Sequence, residues 1–239
     1  MINYPRSMAC GDSGVSIEFG DQINEHINAQ VLALDAALMT LNPVGVIETV
    51  PTYRALLIHY DPVATTYDTV ADQALALARY AVNVQPRSRL LKIPVCYEEE
   101  YGFDLPAVSQ SLGLTSEQVI ARHCALEYRV YMLGFQPGFA YLGGLDPNLS
   151  LPRRPRPRLG ALAGTVSIAA GQCAIHASEG PSGWHWIGRT PARTFIDGAT
   201  PIFAIEPGDR IRFFSITANE WHELSEAACK GGSVMEVVE

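Results

Sequence analysis

The chain has 239 residues and a mass of 26.0 kDa, with 48% hydrophobic and 18% charged residues, enough for one large domain or two small ones and too apolar for a disordered chain. Lys+Arg 17 against Asp+Glu 25 leaves a net charge of −8. That balance argues against nucleic acid or an anionic membrane as partner, so any anion must be held by a local site. The only lysines are Lys92 and Lys230, and no Gly-x-x-x-x-Gly-Lys-[Ser/Thr] phosphate loop occurs. Cys10, Cys96, Cys124, Cys173 and Cys229 are widely spaced and odd in number, which argues against a disulfide framework or a structural zinc site. No metal ligand set is expected. Met1 to Cys10 lacks the apolar stretch of a signal peptide and no apolar run reaches 18 residues, so the expected compartment is a reducing cytoplasm.

In chain order, Val15, Ile17 and Phe19 alternate with polar residues as in a half-buried strand. Gly20-Asp21 breaks it, and Asp21 is placed to cap a helix whose apolar residues Ile23, Ile27, Val31, Leu34, Leu38 and Leu41 trace one face. Val46–Val50 and Arg54–Tyr60 read as strands, and Tyr67–Val82 as a second helix with Val70, Ala74, Leu77, Ala78 and Ala81 inward. A strand near Leu91–Cys96 supplies a sixth element, which completes the split β-α-β, ferredoxin-like order unless that strand belongs to the next domain. Gln85-Pro86-Arg87-Ser88-Arg89 reads as a linker, so the expected domains are 1–88 and 89–239.

In the second half, Thr115 and Gln118 have capping-box spacing and start a short helix through His123. Beyond it Tyr128–Leu133, Thr165–Ala169, Trp184–Ile187, Arg193–Ile196 and Ile211–Ser215 are short β-prone runs between Gly- and Pro-rich turns, the rhythm of a closed or sandwich-like β domain. The overall class is α+β. Glu206-Pro207-Gly208-Asp209 reads as a structural turn into the last strand.

Three stretches can carry chemistry. Leu133 to Leu145 interleaves glycines with Phe135, Phe139 and Tyr141, and suits either a pocket wall or a turn packed with aromatics. Leu151-Pro152-Arg153-Arg154-Pro155-Arg156-Pro157-Arg158 concentrates guanidinium groups, which suit carboxylate or phosphate oxygens and equally suit a solvated arm. The third runs from Gly164 through Gln172 to Gly188-Arg189-Thr190; Gln172 offers a donor and an acceptor, and Arg189 beside Thr190 can meet an anion. His123 can move a proton or be a structural histidine. Cys124 and Cys173 have no activating partner in the sequence, which argues against thiol nucleophilic chemistry.

Together these stretches resemble the family that holds the B-type subunit of 5-oxoprolinase, allophanate hydrolase subunit 1 and the Kip inhibitor of a sporulation histidine kinase. The resemblance rests on Gly11-Asp12-Ser13, Glu18-Phe19-Gly20, Pro51-Thr52-Tyr53-Arg54, His59-Tyr60-Asp61-Pro62 and Ile93-Pro94-Val95-Cys96-Tyr97. Its most specific segments are Met132-Leu133-Gly134-Phe135, Pro137 to Leu145, and Gly183-Trp184 with Ile187 to Pro191.

The resemblance implies a small α/β N-terminal domain, a cyclophilin-like β-barrel, and an active site shared with a homologous barrel protein, the C-type subunit, which is allophanate hydrolase subunit 2-like. Together with a third, A-type subunit, such proteins open 5-oxoproline to glutamate at the expense of ATP, which brings its own Mg²⁺. The lactam oxygen is phosphorylated first, a step that needs positive groups and positioning more than a protein nucleophile. His123, Arg189 and Gln172 are then the expected catalytic groups. Phe135, Pro137, Gly138, Phe139, Tyr141, Arg153, Arg156, Arg158, Gly171, Gly183, Gly188 and Thr190 are expected to bind substrate or ATP. The chain departs from the family at Ala161-Leu162-Ala163-Gly164, at Ala170-Gly171-Gln172-Cys173-Ala174 and at Ser182, where added side chains would narrow a backbone approach to ligand. A kinase inhibitor, or half of a urea- or allophanate-type carboxyltransferase, is the alternative. The latter needs a biotin carrier, and this chain has no Met-Lys-Met attachment motif. Prolyl isomerisation would rest on fold analogy alone.

Overall fold

Among the described residues, seventeen with an apolar stripe make the longest helix, and its start is fixed by Asn24, whose side chain accepts from the backbone N–H of His26 and Ile27. In the computed structural model, which describes residues 3–81 and 88–238, the chain divides into two units, Met1–Arg87 and Ser88–Glu239. The first contains β1 (Arg6–Ala9), β2 (Gly14–Glu18), α1 (Glu25–Leu41), β3 (Val46–Pro51), β4 (Ala55–Tyr60) and α2 (Tyr67–Ala81). Asp21 is therefore not the cap; it lies exposed, and the Asn24 side chain does that work. Ile23 and Leu41, the two ends of the predicted stripe, are exposed, while Val31, Leu34 and Leu38 pack on Leu56, Ile58 and Val70.

The sheet order is β1-β2-β4-β3, antiparallel throughout. The edge beside β2 is filled by Arg6–Ala9, which pairs residue for residue with Val15–Glu18. The strand near Leu91–Cys96 does not complete this sheet; it belongs to the second unit. Val82 and the linker residues Gln85 to Arg87 lie outside the described residues, while Ser88 and Arg89 are tied to the barrel unit by bonds to Gly208 and Asp209.

The second unit holds β5 (Leu90–Cys96), α3 (Leu105–Leu112), α4 (Ser116–Cys124), β6 (Glu127–Leu133), β7 (Ala140–Gly143), β8 (Arg158–Ala161), β9 (Thr165–Ala169), β10 (Gln172–Ile175), β11 (Gly180–Ser182), β12 (His185–Arg189), β13 (Arg210–Ile216), α5 (Ala218–Cys229) and β14 (Glu236–Val237). The strands run β12-β9-β10-β7-β6-β13-β5, and the pairing of Arg189 with Cys96 joins β12 back to β5 and closes a barrel. β14 lies alongside the start of β5, and β8 pairs with β11 as a separate ribbon. Ile93, Val130, Leu142, Ile168, Ile175 and Phe213 fill the core, all nearly or fully buried.

α4 begins at the predicted capping box, with both reciprocal bonds of Thr115 and Gln118 present. Arg193–Ile196 is not a strand: its ladder contact is a single bridge between Phe195 and Phe203. The turn before β13 closes on Asp209, which accepts from the Glu206 N–H and pairs with Arg89 at 2.5 Å.

Candidate functional site

The closing pair of the barrel positions Arg189. As the last residue of β12 it lies opposite Thr165 on β9 and Cys96 on β5, and its Nε donates to the Ala163 carbonyl at 2.9 Å. Its guanidinium carbon sits 4.9 Å from the centre of the Trp221 ring of α5. Half-burial pushes its pKa down from the ordinary arginine value, and among the described residues no carboxylate forms an ion pair with it. Two cavities meet at this side chain. One, of about 290 Å³, is lined by Thr190, Arg193, Phe195, Asp197, Trp221 and Ser225 among others. The second, of about 270 Å³, lies between Glu100, Tyr101, Phe103, Leu162, Trp186 and Arg189.

The backbone around Arg189 is held without slack. Gly164 donates to His176 at 2.7 Å and accepts from Thr190 at 2.8 Å. Its φ is +83°, and a Cβ there would stand 2.1 Å from the Thr190 oxygen, so the departure from the family stops short of this glycine. Gly138 packs against Phe195 and its carbonyl accepts from the Thr194 hydroxyl at 2.9 Å. Phe139 is buried edge-on against His176, with Phe135 exposed outside it at 61% and Pro137 exposed in the turn between. Gly188 is a seam residue: a Cβ would meet Val95 and the Cys96 carbonyl. Arg189, Thr190, Gly138 and Phe139 thus share one end of the barrel.

Gln172 and Gly171 do not. Gln172 pairs with Ala169, at the far end of β9 from the Thr165 that faces Arg189, about 13 Å along the strand. Ala170 (φ 49°) and Gly171 (φ 75°) form the hairpin tip. Gly183 and Arg153 are at this same end, with the Arg153 guanidinium over Gly183, and the half-buried Tyr141 faces Trp184 edge-on. Arg156 is exposed on the arm.

Arg158 is committed elsewhere. Its two terminal nitrogens donate to Asp104 at 3.0 and 2.5 Å, and Arg154 adds a contact at 3.4 Å. The same carboxylate accepts from the Trp186 N–H at 2.8 Å, and the Arg158 guanidinium stacks 3.9 Å over the Trp186 ring. Two of the four arginines of the predicted patch are therefore held by one internal carboxylate. Asp104, Trp186, Arg193 and Trp221 are absent from the predicted site. Asp104 had one sequence signal, the Asp-Leu-Pro start of α3; yet its carboxylate makes no cap bond and turns to the arginines instead.

His123 is fully buried. Its Nδ1 bonds the Tyr97 hydroxyl at 2.8 Å, its Nε2 meets Cys173 Sγ at 3.4 Å, and its ring stacks on Phe213 at 4.7 Å. Burial lowers its pKa to about 3, so it is neutral at pH 7 and out of contact with water. Cys124 and Cys173 do have polar partners, Tyr97 and His123, contrary to expectation; burial raises both thiol pKa values, so neither is a ready thiolate. Among the described residues no group of three His, Cys, Asp or Glu is placed to hold a metal ion, and no helix is long and apolar enough to cross a membrane.

Comparison with known proteins agrees with this architecture. The model of the family described as carboxyltransferase domain, subdomain C and D, matches residues 5–205. The B-type subunit of 5-oxoprolinase from Bacillus subtilis (strain 168) is 35% identical over 227 residues, spanning 90% of this chain and 95% of that protein. The crystal structure of TTHA0988 superposes with a TM-score of 0.77 at 36% identity, over 86% of this chain and 40% of that one, so the chain spans less than half of that protein. The K. lactis urea amidolyase shares the fold, with a TM-score of 0.80 at 18% identity over 97% of this chain and 16% of that one. With the family pattern matched across most of its length, the chain belongs to the family of the 5-oxoprolinase B-type subunit, allophanate hydrolase subunit 1 and the Kip inhibitor, the carboxyltransferase domain, subdomain C and D.

Proposed function

We propose that this chain is the B-type subunit of an ATP-dependent 5-oxoprolinase, working in a complex with a homologous C-type barrel subunit and a third, A-type subunit. The observation that carries the reading is the 35% identity extending over 95% of the Bacillus subtilis relative. We read the barrel as cyclophilin-like and the first unit as a ferredoxin-like variant in which the N-terminal strand takes the edge position.

In this reading ATP supplies a γ-phosphoryl group to the lactam oxygen of 5-oxo-L-proline and ADP leaves. Water then adds to the activated carbon, the ring C–N bond breaks, and loss of phosphate gives L-glutamate. The chain's own contribution is at Arg189. A guanidinium that is half desolvated, held by Ala163 and Trp221, and without a carboxylate partner among the described residues is prepaid for an incoming anion. Thr190 and the Gly164 and Gly138 backbones fix its surroundings. His123 is assigned to packing, since a proton carrier must touch substrate or water. Gln172 and Arg153, at the other barrel end, are assigned to a surface facing a partner rather than to the reacting atoms.

The test is ADP release by the chain co-purified with its candidate partner subunits, with and without 5-oxoproline, alongside glutamate formation. Stoichiometric, substrate-stimulated ADP and glutamate are expected, and Arg189→Ala should lower the stimulated rate roughly 100-fold. An assembled complex that shows no stimulation would sink this substrate. The family's description favours a second reading, half of a carboxyltransferase acting on a urea-like amide; it predicts turnover only when a biotin carrier is added.

A further inference from the structure

We propose that the cavity between the end of β12 and α5 is a binding site for a small monocarboxylate, with Arg189 pairing with the carboxylate and Trp221 of α5 setting which ligand body fits. The inference rests on the reading of the Arg189 end as the substrate site, and adds to it the cavity that takes the ligand body and a specificity-determining wall.

Charge selects the class. The charged side chains lining this cavity are Arg189, Arg193 and Asp197. Arg189 and Arg193 against Asp197 leave a surplus of one positive charge, which a single carboxylate neutralises. A nucleotide polyphosphate would bring several uncompensated charges into a partly desolvated space. Arg154 and Arg158 are not available to help, because Asp104 holds both. The walls agree with an apolar ligand body: Ala163, Ala177, Pro191, Ala192, Phe195 and Ala228 contribute hydrocarbon surface.

The wall from α5 is built in. The helix starts at a capping box of Thr217 and Glu220, and its first N–H groups include one from Ala218 to Glu98 at 3.2 Å. Tyr101 bonds His222 at 3.2 Å and lies 5.0 Å from the Trp221 ring, and Ile216 and Leu224 join this small core. Trp221 is thereby fixed over Arg189, with its Nε1 buried away from the cavity surface.

The test is isothermal titration calorimetry on the full chain with 5-oxo-L-proline, its neutral carboxamide, cyclopentanecarboxylate and ATP. 5-Oxoproline is expected to bind, with the carboxamide at least about 30-fold weaker, the size of one lost charge-assisted pair. Arg189→Gln should show a similar loss for carboxylates, Ser225→Phe should block the cavity, and Trp221→Ala should bring 5-oxoproline and cyclopentanecarboxylate to similar affinities. Trp221→Phe, which keeps the ring contact, should retain most binding and guards against a folding artefact. Arg189-dependent binding of cyclopentanecarboxylate without 5-oxoproline binding would uphold the cavity and overturn the oxoprolinase reading. Unchanged 5-oxoproline binding in both Arg189→Gln and Ser225→Phe would overturn the cavity and Arg189's role, and leave only the oxoprolinase activity standing. No carboxylate binding, or ATP binding that Ser225→Phe abolishes, would overturn the proposal.

Discussion

Replacing Asp104 with alanine should destabilise the barrel unit by about 3 kcal/mol, the low end of the roughly 3–5 kcal/mol range for removing one partner of a buried ion pair. The carboxylate side chain is 5% exposed and accepts from Arg158 twice, from Arg154 and from the Trp186 backbone. The low end applies because Arg158 and Arg154 are 24% and 31% exposed and regain part of their hydration when the carboxylate is lost. In a domain of this size that free energy corresponds to a melting-temperature drop of about 6–12 °C, measurable by calorimetry. Asp104→Asn should cost less, about 2 kcal/mol, because the amide oxygen still accepts from Trp186 while the charge is gone. Adding Arg158→Met to Asp104→Asn should then cost less than the sum of the two single changes, with a coupling of at least about 1 kcal/mol. A melting temperature for Asp104→Ala within about 2 °C of the parent, or a coupling near zero, would refute the reasoning that this carboxylate holds the arm.

Two further perturbations read other parts of the structure. His123 and His176 are buried, with pKa values lowered by desolvation to about 3 and about 4. The unfolded chain protonates both below about pH 6.5 while the folded chain does not, so stability is full above that pH and is lost as pH falls toward those folded values. Each should cost about 2 kcal/mol between pH 7 and pH 5 by urea unfolding. His123→Gln should remove its share of that slope whatever it does to stability at pH 7, and an unchanged slope would show that His123 titrates normally. At the hairpin tip, Ala170 holds φ 49° ahead of Gly171, a position that suits asparagine better than alanine. Ala170→Asn should therefore raise stability by about 1 kcal/mol in a thermal melt, and a loss would mean the turn is not of the type its dihedrals indicate.

Local signals were legible where one segment carries its own code. The stripe of α1 and the capping box of α4 need only their own residues, and both elements form where the pattern places them, apart from the frayed ends of the stripe. β7 and β10 were not legible: they are four-residue strands, one glycine-ended, buried nearly throughout, so they show no alternation to read. β5 was visible as a strand, but its sheet was not, since membership depends on Ile93 and Cys96 finding partners more than a hundred and about ninety residues away in β13 and β12. α5 carries a capping box as good as that of α4, but its role comes from Tyr101 and Arg189, which lie far from it in sequence.

The arginines show why a site is harder to read than a fold. In sequence, Arg153, Arg154, Arg156 and Arg158 form the obvious anion-binding cluster and Arg189 stands alone. Folding reverses their standing, because a cation's availability depends on where the acids end up. Asp104 reaches Arg158 across 54 positions of sequence and takes Arg154 with it, while no acid among the described residues pairs with Arg189. Trp186 records the same division: its backbone N–H binds Asp104, its ring carries Arg158, and three residues further along the same strand Arg189 faces the cavities. One strand thus separates a neutralised arginine that builds the wall from a half-desolvated one left to meet a ligand, and on an acidic protein that local imbalance is what an anionic substrate can recognise.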